Sequence, residues 1–438
     1  DQVLRAERHR HADQAKAAAD DVPDFTKAPA VKVVVPPAAG KEPTLPKSSF
    51  YEGLVRKASA EFWDYPLVQE GYVVVSVSVV RRYYVSSEGS FFYEPKSVAQ
   101  FAAAASSQAS DGMPVVNYVT RTADRFDNLS AYSAIRGDVI RMLNGLEELR
   151  TAPKAEAYSG PVLFEGIAAG QLMGRLLLRN LSGTPAPKSK RGRLGPSNQL
   201  QDRLKRRVLP KSFTIVDDPT ARSFKSQQLL GGYAMDDEGV KSQKVTLVKK
   251  GKLVGRLMSR TPSKDFPASN GHGRARAFGA ARGGPSNVLI TARGTTRKRL
   301  IRKLLAGAKK ADEKYAIIVR QLPNPMITSR LSGLGGRSAA YTGGMMAYKV
   351  TRDGKETPIR GVSLERLKVK QLKHIAAAGK KLTAYHHLGR YRHYAGGAVT
   401  FDPVTLVTPP LLFSEVELIQ TKGAKGKKPL LKRPKKPA

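Results

Sequence analysis

Cysteine is absent from this 438-residue chain, and that one absence removes disulfides, iron–sulfur clusters, thiolate zinc sites and thiol nucleophiles together. It leaves the compartment open, since exported and cytosolic proteins alike can do without a thiol. Long apolar runs are missing too. No stretch reaches the roughly 18 residues that a spanning helix needs, so no membrane insertion is expected. Residue 1 is Asp, not Met, and residues 1–10 lack the apolar centre of a signal peptide. Two enzyme classes lose their signatures: there is no Gly-x-Ser-x-Gly nucleophile elbow and no Walker-type phosphate loop. Acidic residues are scarce, 36 against 75 Lys and Arg, which leaves a formal charge of +39.

That charge is unevenly spread. Residues 188–211 carry nine Lys and Arg against one Asp, 293–310 carry eight against none, and 421–438 carry eight against none. More than half of the excess therefore sits in three segments. Such segments can neutralise phosphates, which makes a polyanion or nucleic acid one candidate partner. Their ordinary reading is a solvated loop, a solvated helix face and a tail.

Along the chain, 1–47 mixes Ala, Lys, Asp and Pro without sustained periodicity and reads as an extended arm or linker. Leu54, Val55, Ala58 and Phe62 fall at helical spacing and start the first compact unit. β-branched residues over 71–80, continued by 81–90 to a Glu88-Gly89 corner, predict a strand pair. A strand over 115–121 and a helix over 131–150 complete an α+β domain spanning 48–155. From 156 to 420 the pattern is β-rich, barrel- or sandwich-like, with a few helices, and 421–438 forms a basic tail. Strands are expected at 212–216, 287–291, 316–320, 345–351 and 416–420. A hairpin is expected over 243–257, turning through Lys249-Lys250-Gly251. Helices are expected at about 165–178, 296–306 and 364–378. The fold class is thus α+β, with an N-terminal α+β domain followed by a β-rich C-terminal domain.

The stretch 160–172, Gly-Pro-Val-Leu-Phe-Glu-Gly-Ile-Ala-Ala-Gly-Gln-Leu, looks like a metalloprotease helix without its metal ligands. Glu165 stands where a catalytic base would, with Phe164 and Ala169 at the flanking positions. Taken with Asp217-Asp218-Pro219-Thr220, Asp236-Asp237-Glu238-Gly239, the hairpin at 243–260, Asn270-Gly271-His272-Gly273-Arg274 and Arg360-Gly361-Val362, it resembles the TldD/PmbA family, also called modulator of DNA gyrase. The resemblance runs over roughly 50–420. The Asp-Asp-Glu-Gly block followed by a hairpin is its most specific part, and the front of the chain looks shortened.

The resemblance implies a peptidase of two homologous subunits acting on flexible peptides. The active subunit, TldD, carries His-Glu-x-x-x-His and a later Cys as zinc ligands; its partner, TldE, keeps the fold without the motif. Matched to this sequence, the two His positions are Phe164 and Ala169, the Glu is Glu165, and no Cys exists to match. A TldE-like chain is therefore expected, with zinc belonging to the active family subunit and no cofactor to this one. Its expected partners are a flexible peptide or protein substrate and a TldD-like homologous subunit. A cytoplasmic location is implied by the resemblance, with export open because the first residue is not Met.

Candidate ligand-binding residues are Asp236, Asp237, Glu238, Gly239, His272, Arg274 and Arg276. The carboxylates could take a hard cation, but their plainer reading is a turn whose side chains accept backbone hydrogen bonds, since the family keeps the block irrespective of metal. Asp217 and Asp218 read the same way. Residues 270–276 read as a flexible loop whose two guanidinium groups could hold a carboxylate or phosphate, or as an exposed loop with no ligand. Glu165 reads as a cap or polar anchor of a buried helix, or as a retained general base. His386, His387 and His393 have no known metal-ligand spacing and read as surface or polyanion-contacting histidines. An active metallopeptidase with an unconventional site, using Glu165 with these histidines or with His272, is the rival reading.

Overall fold

The computed structural model of the chain describes residues 25–421 except 38–39, 186–187, 190–191, 194–197, 276–279, 329, 332–343, 365–366 and 393–398. Arg276, His393, residues 1–24 of the arm and 422–438 of the basic tail lie outside the described residues, as does most of 186–197.

Three long antiparallel strands organise the N-terminal part. In chain order the elements are β1 (Lys32–Val34), α1 (Ser48–Ala60), β2 (Glu70–Val85), β3 (Phe91–Gln108), β4 (Pro114–Ala123) and α2 (Tyr132–Thr151). The expected strand pair is one uninterrupted 16-residue strand, β2. It turns at Ser86–Ser90 and pairs along its whole length with β3, from Glu70↔Ser106 to Val85↔Phe91. β4 pairs the far half of the other edge of β3, and β1 runs parallel to its first three residues.

Strand β3 escaped the sequence reading because its centre is Ala102-Ala103-Ala104-Ala105, small side chains with no β signal. Burial on both faces explains them. Phe101, Ala103 and Ala105 pack with Ile135, Val139, Leu143 and Leu146 of α2, while Ala102 and Ala104 pack with Tyr118, Ile327 and Leu331. Successive side chains point to opposite faces of a strand, so β3 serves two cores at once.

The C-terminal part opens with β5 (Tyr158–Phe164) and α3 (Ile167–Leu177), followed by β6 (Phe213–Asp217), β7 (Val245–Lys249), β8 (Lys252–Leu253) and β9 (Asn287–Ala292). Then come α4 (Arg297–Lys310), β10 (Ala316–Gln321), β11 (Met346–Val350), β12 (Glu356–Ile359), β13 (Val362–Leu364), β14 (Ile375–Ala378), β15 (Thr383–Arg392), β16 (Val399–Thr408) and β17 (Leu411–Gln420). They build a six-stranded sheet, β8-β7-β6-β9-β16-β15, and a seven-stranded sheet, β12-β11-β10-β5-β17-β13, in which β14 also pairs β17. One apolar core takes residues from both sheets and from α3. Buried on nearly every side, α3 is a core helix and not a one-faced surface helix.

The outer face of the seven-stranded sheet is covered by α4, whose Leu300, Leu304 and Ala308 meet Leu163, Ile318 and Leu412. Helical spacing of those three apolar residues in an otherwise basic segment is what writes α4 into the sequence. The hairpin β7–β8 also forms as expected, with Val248 opposite Leu253, and both turn residues, Lys250 and Gly251, have positive φ as a tight two-residue turn requires.

Two expected helices need correction. No helix spans 364–378: β13 ends at Leu364, a 3₁₀ turn covers Val369–His374, and β14 follows. Pairing with β17 draws both flanks into strands and overrides the local helical spacing. The helix expected from 165 begins at Ile167. Residues 158–164 are held as strand β5 between β10 and β17, and Gly166 turns the chain with φ +61°.

Candidate functional site

Because β5 ends at Phe164, the residues matched to the protease motif are divided between a strand and a helix. Phe164 is fully buried and meets Phe413 edge-on, ring centroids 5.6 Å apart. Ala169, inside α3, is also fully buried. Glu165 lies between them, its N–H still donating to the Val319 carbonyl at 3.0 Å as if β5 continued one residue further. It does not cap α3: the cap position is Gly166, with no side-chain hydrogen bond.

The Glu165 carboxylate is instead one corner of a four-membered ion ring. Arg297, at the first turn of α4, donates from Nε to Oε2 at 3.0 Å and from Nη2 to Oε1 at 3.1 Å. Arg320, at the end of β10, donates from Nε to Oε1 at 2.9 Å. Both arginines also bind Glu356 of β12, and Arg320 stacks over the Tyr348 ring at 4.4 Å. Burial disfavours the charge on Glu165, but the hydrogen bonds from Arg297 and Arg320 outweigh it and hold the pKa below the usual carboxylate value. Glu165 is thus an ionised group with both oxygens engaged. None of the ring's other three members is close to Glu165 in sequence, and no local pattern announces them.

Tested as a zinc site, these residues do not fit. A zinc ion takes N, S or O donors, about four in all. Phe164 and Ala169 offer none, and the carboxylate between them faces two guanidinium groups. Among the described residues no group of three His, Asp or Glu side chains is placed to hold a metal elsewhere.

The second candidate cluster is drawn from three places in the sequence. Asp236 is fully buried, and its oxygens accept from the N–H groups of Val240 at 2.8 Å, Glu238 at 3.0 Å and Gly273 at 2.8 Å. Burial raises its pKa despite those three donors. Asp237 pairs with Arg82 and with Arg274, at 3.5 Å for the latter, and accepts from Ala275 N at 2.9 Å. Burial opposes its charge too, but Arg274 and Arg82 lower its pKa overall. Glu238 accepts from Arg260 N at 2.6 Å, and burial pushes its pKa up to about 7. Gly239 has φ +77° and lies flat against Tyr84, where a Cβ would stand 2.5 Å from the ring. The turn expected at 236–239 is present, satisfied by backbone donors.

Residues 270–274 are neither exposed nor free. His272 is fully buried; its Nδ1 lies 3.0 Å from the Asn270 carbonyl and its Nε2 3.2 Å from Asp217 Oδ1. Arg274 stacks over Tyr233 at 4.5 Å. At Gly273 a Cβ would sit 2.3 Å from Glu238 Oε2, so a larger residue there would displace that carboxylate. The segment is pinned because Asp236 and Asp237 bind its backbone from both directions. Asp217 anchors the same region, accepting from Ser286 N at 2.9 Å and from the Ser286 hydroxyl. Asp218 closes a local turn on Thr220, with Oδ1 accepting from its N–H at 3.1 Å and its hydroxyl at 2.6 Å.

The N-terminal hairpin reaches into this cluster, which the sequence did not signal. Arg82 of β2 binds Glu94 of β3 at 2.6 Å, and Glu94 accepts from Ala234 N at 3.0 Å. Glu88, at the hairpin corner, pairs with Arg260, whose side chain is nearly buried. Both of the reachable histidines of the 386–393 group also depart from expectation. His386 and His387 are half-buried in β15, and burial holds His386 down to about 4 and lowers His387 as well. Both are therefore uncharged at neutral pH and supply no cation for a polyanion.

Comparison with known proteins agrees with this architecture. The PmbA/TldA metallopeptidase C-terminal domain matches residues 157–420. A metalloprotease of Archaeoglobus fulgidus is 36% identical over 77 residues, which span 18% of this chain and 17% of that protein. Among solved structures, a protein of Thermotoga maritima assigned as a modulator of a DNA gyrase superposes with a TM-score of 0.60 at 14% identity, over 85% of this chain and 74% of its own. TldE from Thermococcus kodakarensis superposes at 0.52 with 15% identity, over 92% and 82%. These structural likenesses carry the fold. With more than half of its length matched to the C-terminal domain, the chain belongs to the TldD/PmbA family of metallopeptidases.

Proposed function

We propose that this chain is a catalytically degenerate, TldE-like member of its family, which binds flexible peptide segments as part of a proteolytic assembly and leaves hydrolysis to a homologous subunit. The observation that carries the reading is the ion ring at Glu165. A general base must accept a proton from a water it polarises, and it works best with a pKa near the working pH. Glu165 has the opposite properties: its pKa is depressed and both its oxygens accept from arginines. Phe164 and Ala169 offer no donor for a metal that would lower the pKa of a bound water at this place.

Peptide binding on this reading uses main-chain pairing that tolerates sequence variation, as open strand edges allow. The strand β15 is last in the six-stranded sheet, and the Gln227 side chain, which accepts from Ala384 N at 3.1 Å, would have to give way to a peptide there. The test has two arms. The purified chain, prepared without chelator and supplied with zinc, is incubated with an unstructured peptide, alone and with a homologous subunit carrying His-Glu-x-x-x-His. No metal retention and no cleavage alone, with binding of the peptide and cleavage by the mixture, is the expected result. Stoichiometric zinc and cleavage by the chain alone, abolished by Glu165→Gln, would overturn the reading.

A further inference from the structure

A cleft of about 500 Å³ opens beside the first two turns of α4, lined by Arg293, Thr295, Thr296, Arg299, Arg302 and Lys380 together with Gly294. Two backbone segments build its wall. Thr295 N donates to the Ala378 carbonyl at 2.9 Å, and Lys380 N donates to the Thr295 carbonyl at 3.0 Å. Gly294 lies so close to Gly379 that a Cβ would stand 2.2 Å from the Gly379 oxygen. The contact sets Arg293 and Lys380 on neighbouring, mutually locked strands of backbone, while Arg299 and Arg302 share a face of α4 at i, i+3.

The four cations differ from their neighbour Arg297. That residue spends its guanidinium on Glu165 and Glu356. Among the described residues, no carboxylate pairs with Arg293, Arg299, Arg302 or Lys380, and all four are exposed. Crowding like charges around one hollow is unfavourable for folding. So is opening α4 with Arg297, Lys298 and Arg299 and no acidic residue, because the positive end of the helix dipole lies there. An anionic ligand relieves both penalties.

Composition narrows the ligand. No aromatic or large apolar side chain lines the cleft, so nothing is available to stack on a base. One carboxylate would answer one of four charges, whereas arginine forks match phosphate oxygens in pairs. Basic residues also continue past the cleft on α4, with Lys303, Lys309 and Lys310 exposed along a helix of about 21 Å, which suits a row of charges over a single small ion. We infer that this cleft and the adjoining face of α4 bind the phosphodiester backbone of a nucleic acid, through charge and without reading bases. The inference is independent of the peptide-binding reading, and its test uses no peptidase readout.

The test measures binding of the full chain to a labelled DNA duplex of about 20 base pairs by fluorescence anisotropy, between about 50 and about 200 mM salt. One variant combines Arg293→Ser, Arg299→Ser, Arg302→Ser and Lys380→Ser. A second, of equal net charge, combines Lys211→Ser, Lys249→Ser, Lys252→Ser and Lys355→Ser, all exposed and remote from the cleft in sequence. Loss of about four phosphate contacts should reduce the slope of log K against log salt by about 3.6 and weaken binding at the lowest salt by at least about tenfold, with the second variant changing little. Single variants at Arg302 and Lys380, each expected to remove about one unit of slope, serve if the quadruple variant fails to fold. Equal losses in the two quadruple variants, or none in the first, would assign binding to diffuse charge and overturn the inference. So would displacement of the duplex by polyglutamate at matched charge, or tight binding of inorganic tripolyphosphate by a chain that does not bind the duplex.

Discussion

Two carboxylate clusters in this molecule are satisfied by opposite means. At Glu165 and Glu356 the partners are arginine side chains, and the ring is partly open: Arg297 is 52% exposed and Arg320 37%. Around Asp217 and Asp236 the carboxylates are wholly buried, and most of their partners are backbone N–H groups and a serine hydroxyl. The difference bears on what each cluster can become. Solvent reaches this ring from the arginine side, although Glu165 and Glu356 are only 13% and 23% exposed, so the ring should contribute less than the wholly buried cluster. A buried carboxylate that orders three loops cannot be removed without leaving donors unpaired. The Asp217–Asp236 cluster thus holds backbone loops in place, whereas the Glu165 ring joins side chains to one another.

The contrast can be broken first at its strong end. Asp217→Ala strips the acceptor from Ser286 and His272 in a site without solvent, and should cost about 3–5 kcal/mol in a urea titration. A loss below about 1 kcal/mol would show that the buried cluster is as dispensable as the ring. Next comes an attempt to restore the missing ligands. Phe164→His with Ala169→His places two imidazoles into a packed core, where Phe164 fills the space beside Phe413. We expect destabilisation of about 3 kcal/mol or more and no stoichiometric zinc by elemental analysis. Retention of zinc would mean that the arginine ring yields to a metal.

The smaller effects concern pH. Glu238 has a native pKa of about 7, above its ordinary value of 4.5. The native state therefore holds a proton that the unfolded chain has released, and this contribution to stability falls as pH rises from about 4.5 to about 7. Glu238→Gln keeps an acceptor for Arg260 N and should flatten that slope, read as the difference in midpoint between the two proteins across the window. An unchanged slope would assign the pH dependence to other groups. Least of all, Glu165→Gln should cost about 1 kcal/mol or less at neutral pH. Since the native pKa of Glu165 is depressed, its contribution is present above the ordinary carboxylate pKa and is lost as pH falls through the native value. The two proteins should converge in acid. A large cost at pH 7 would move the ring into the structural class of the Asp217 cluster.

Local patterns were legible where one face of an element decides its conformation. The spacing of Leu300, Leu304 and Ala308 predicts α4, the Ile135 to Leu146 series predicts α2, and Lys250-Gly251 predicts the β7–β8 turn. Patterns failed where partners on both sides set the outcome. The alanines of β3 carry no strand preference and become strand by pairing with β2 and β4, and 364–378 loses its helix to β17. The candidate site divides in the same way. That the Asp217, Asp218 and Asp236 carboxylates accept backbone hydrogen bonds was readable. That His272 is buried and Arg274 half-buried was not, because their surroundings include Asp217, Asp237 and Tyr233, each more than thirty residues away.

By itself the sequence determined which donor atoms are unavailable: the chain has no cysteine, and Phe164 and Ala169, matched only by resemblance to the family's ligand positions, carry no nitrogen, oxygen or sulfur in their side chains. Donor atoms are a property of composition. Only the tertiary structure decided what Glu165 does instead, since Arg297 and Arg320 lie 132 and 155 residues from it. It likewise decided which of the many basic residues remain without a carboxylate beside the cleft at α4. Charge pairing depends on distance in space, falling off within a few ångströms when water intervenes, and residue order alone does not set that distance.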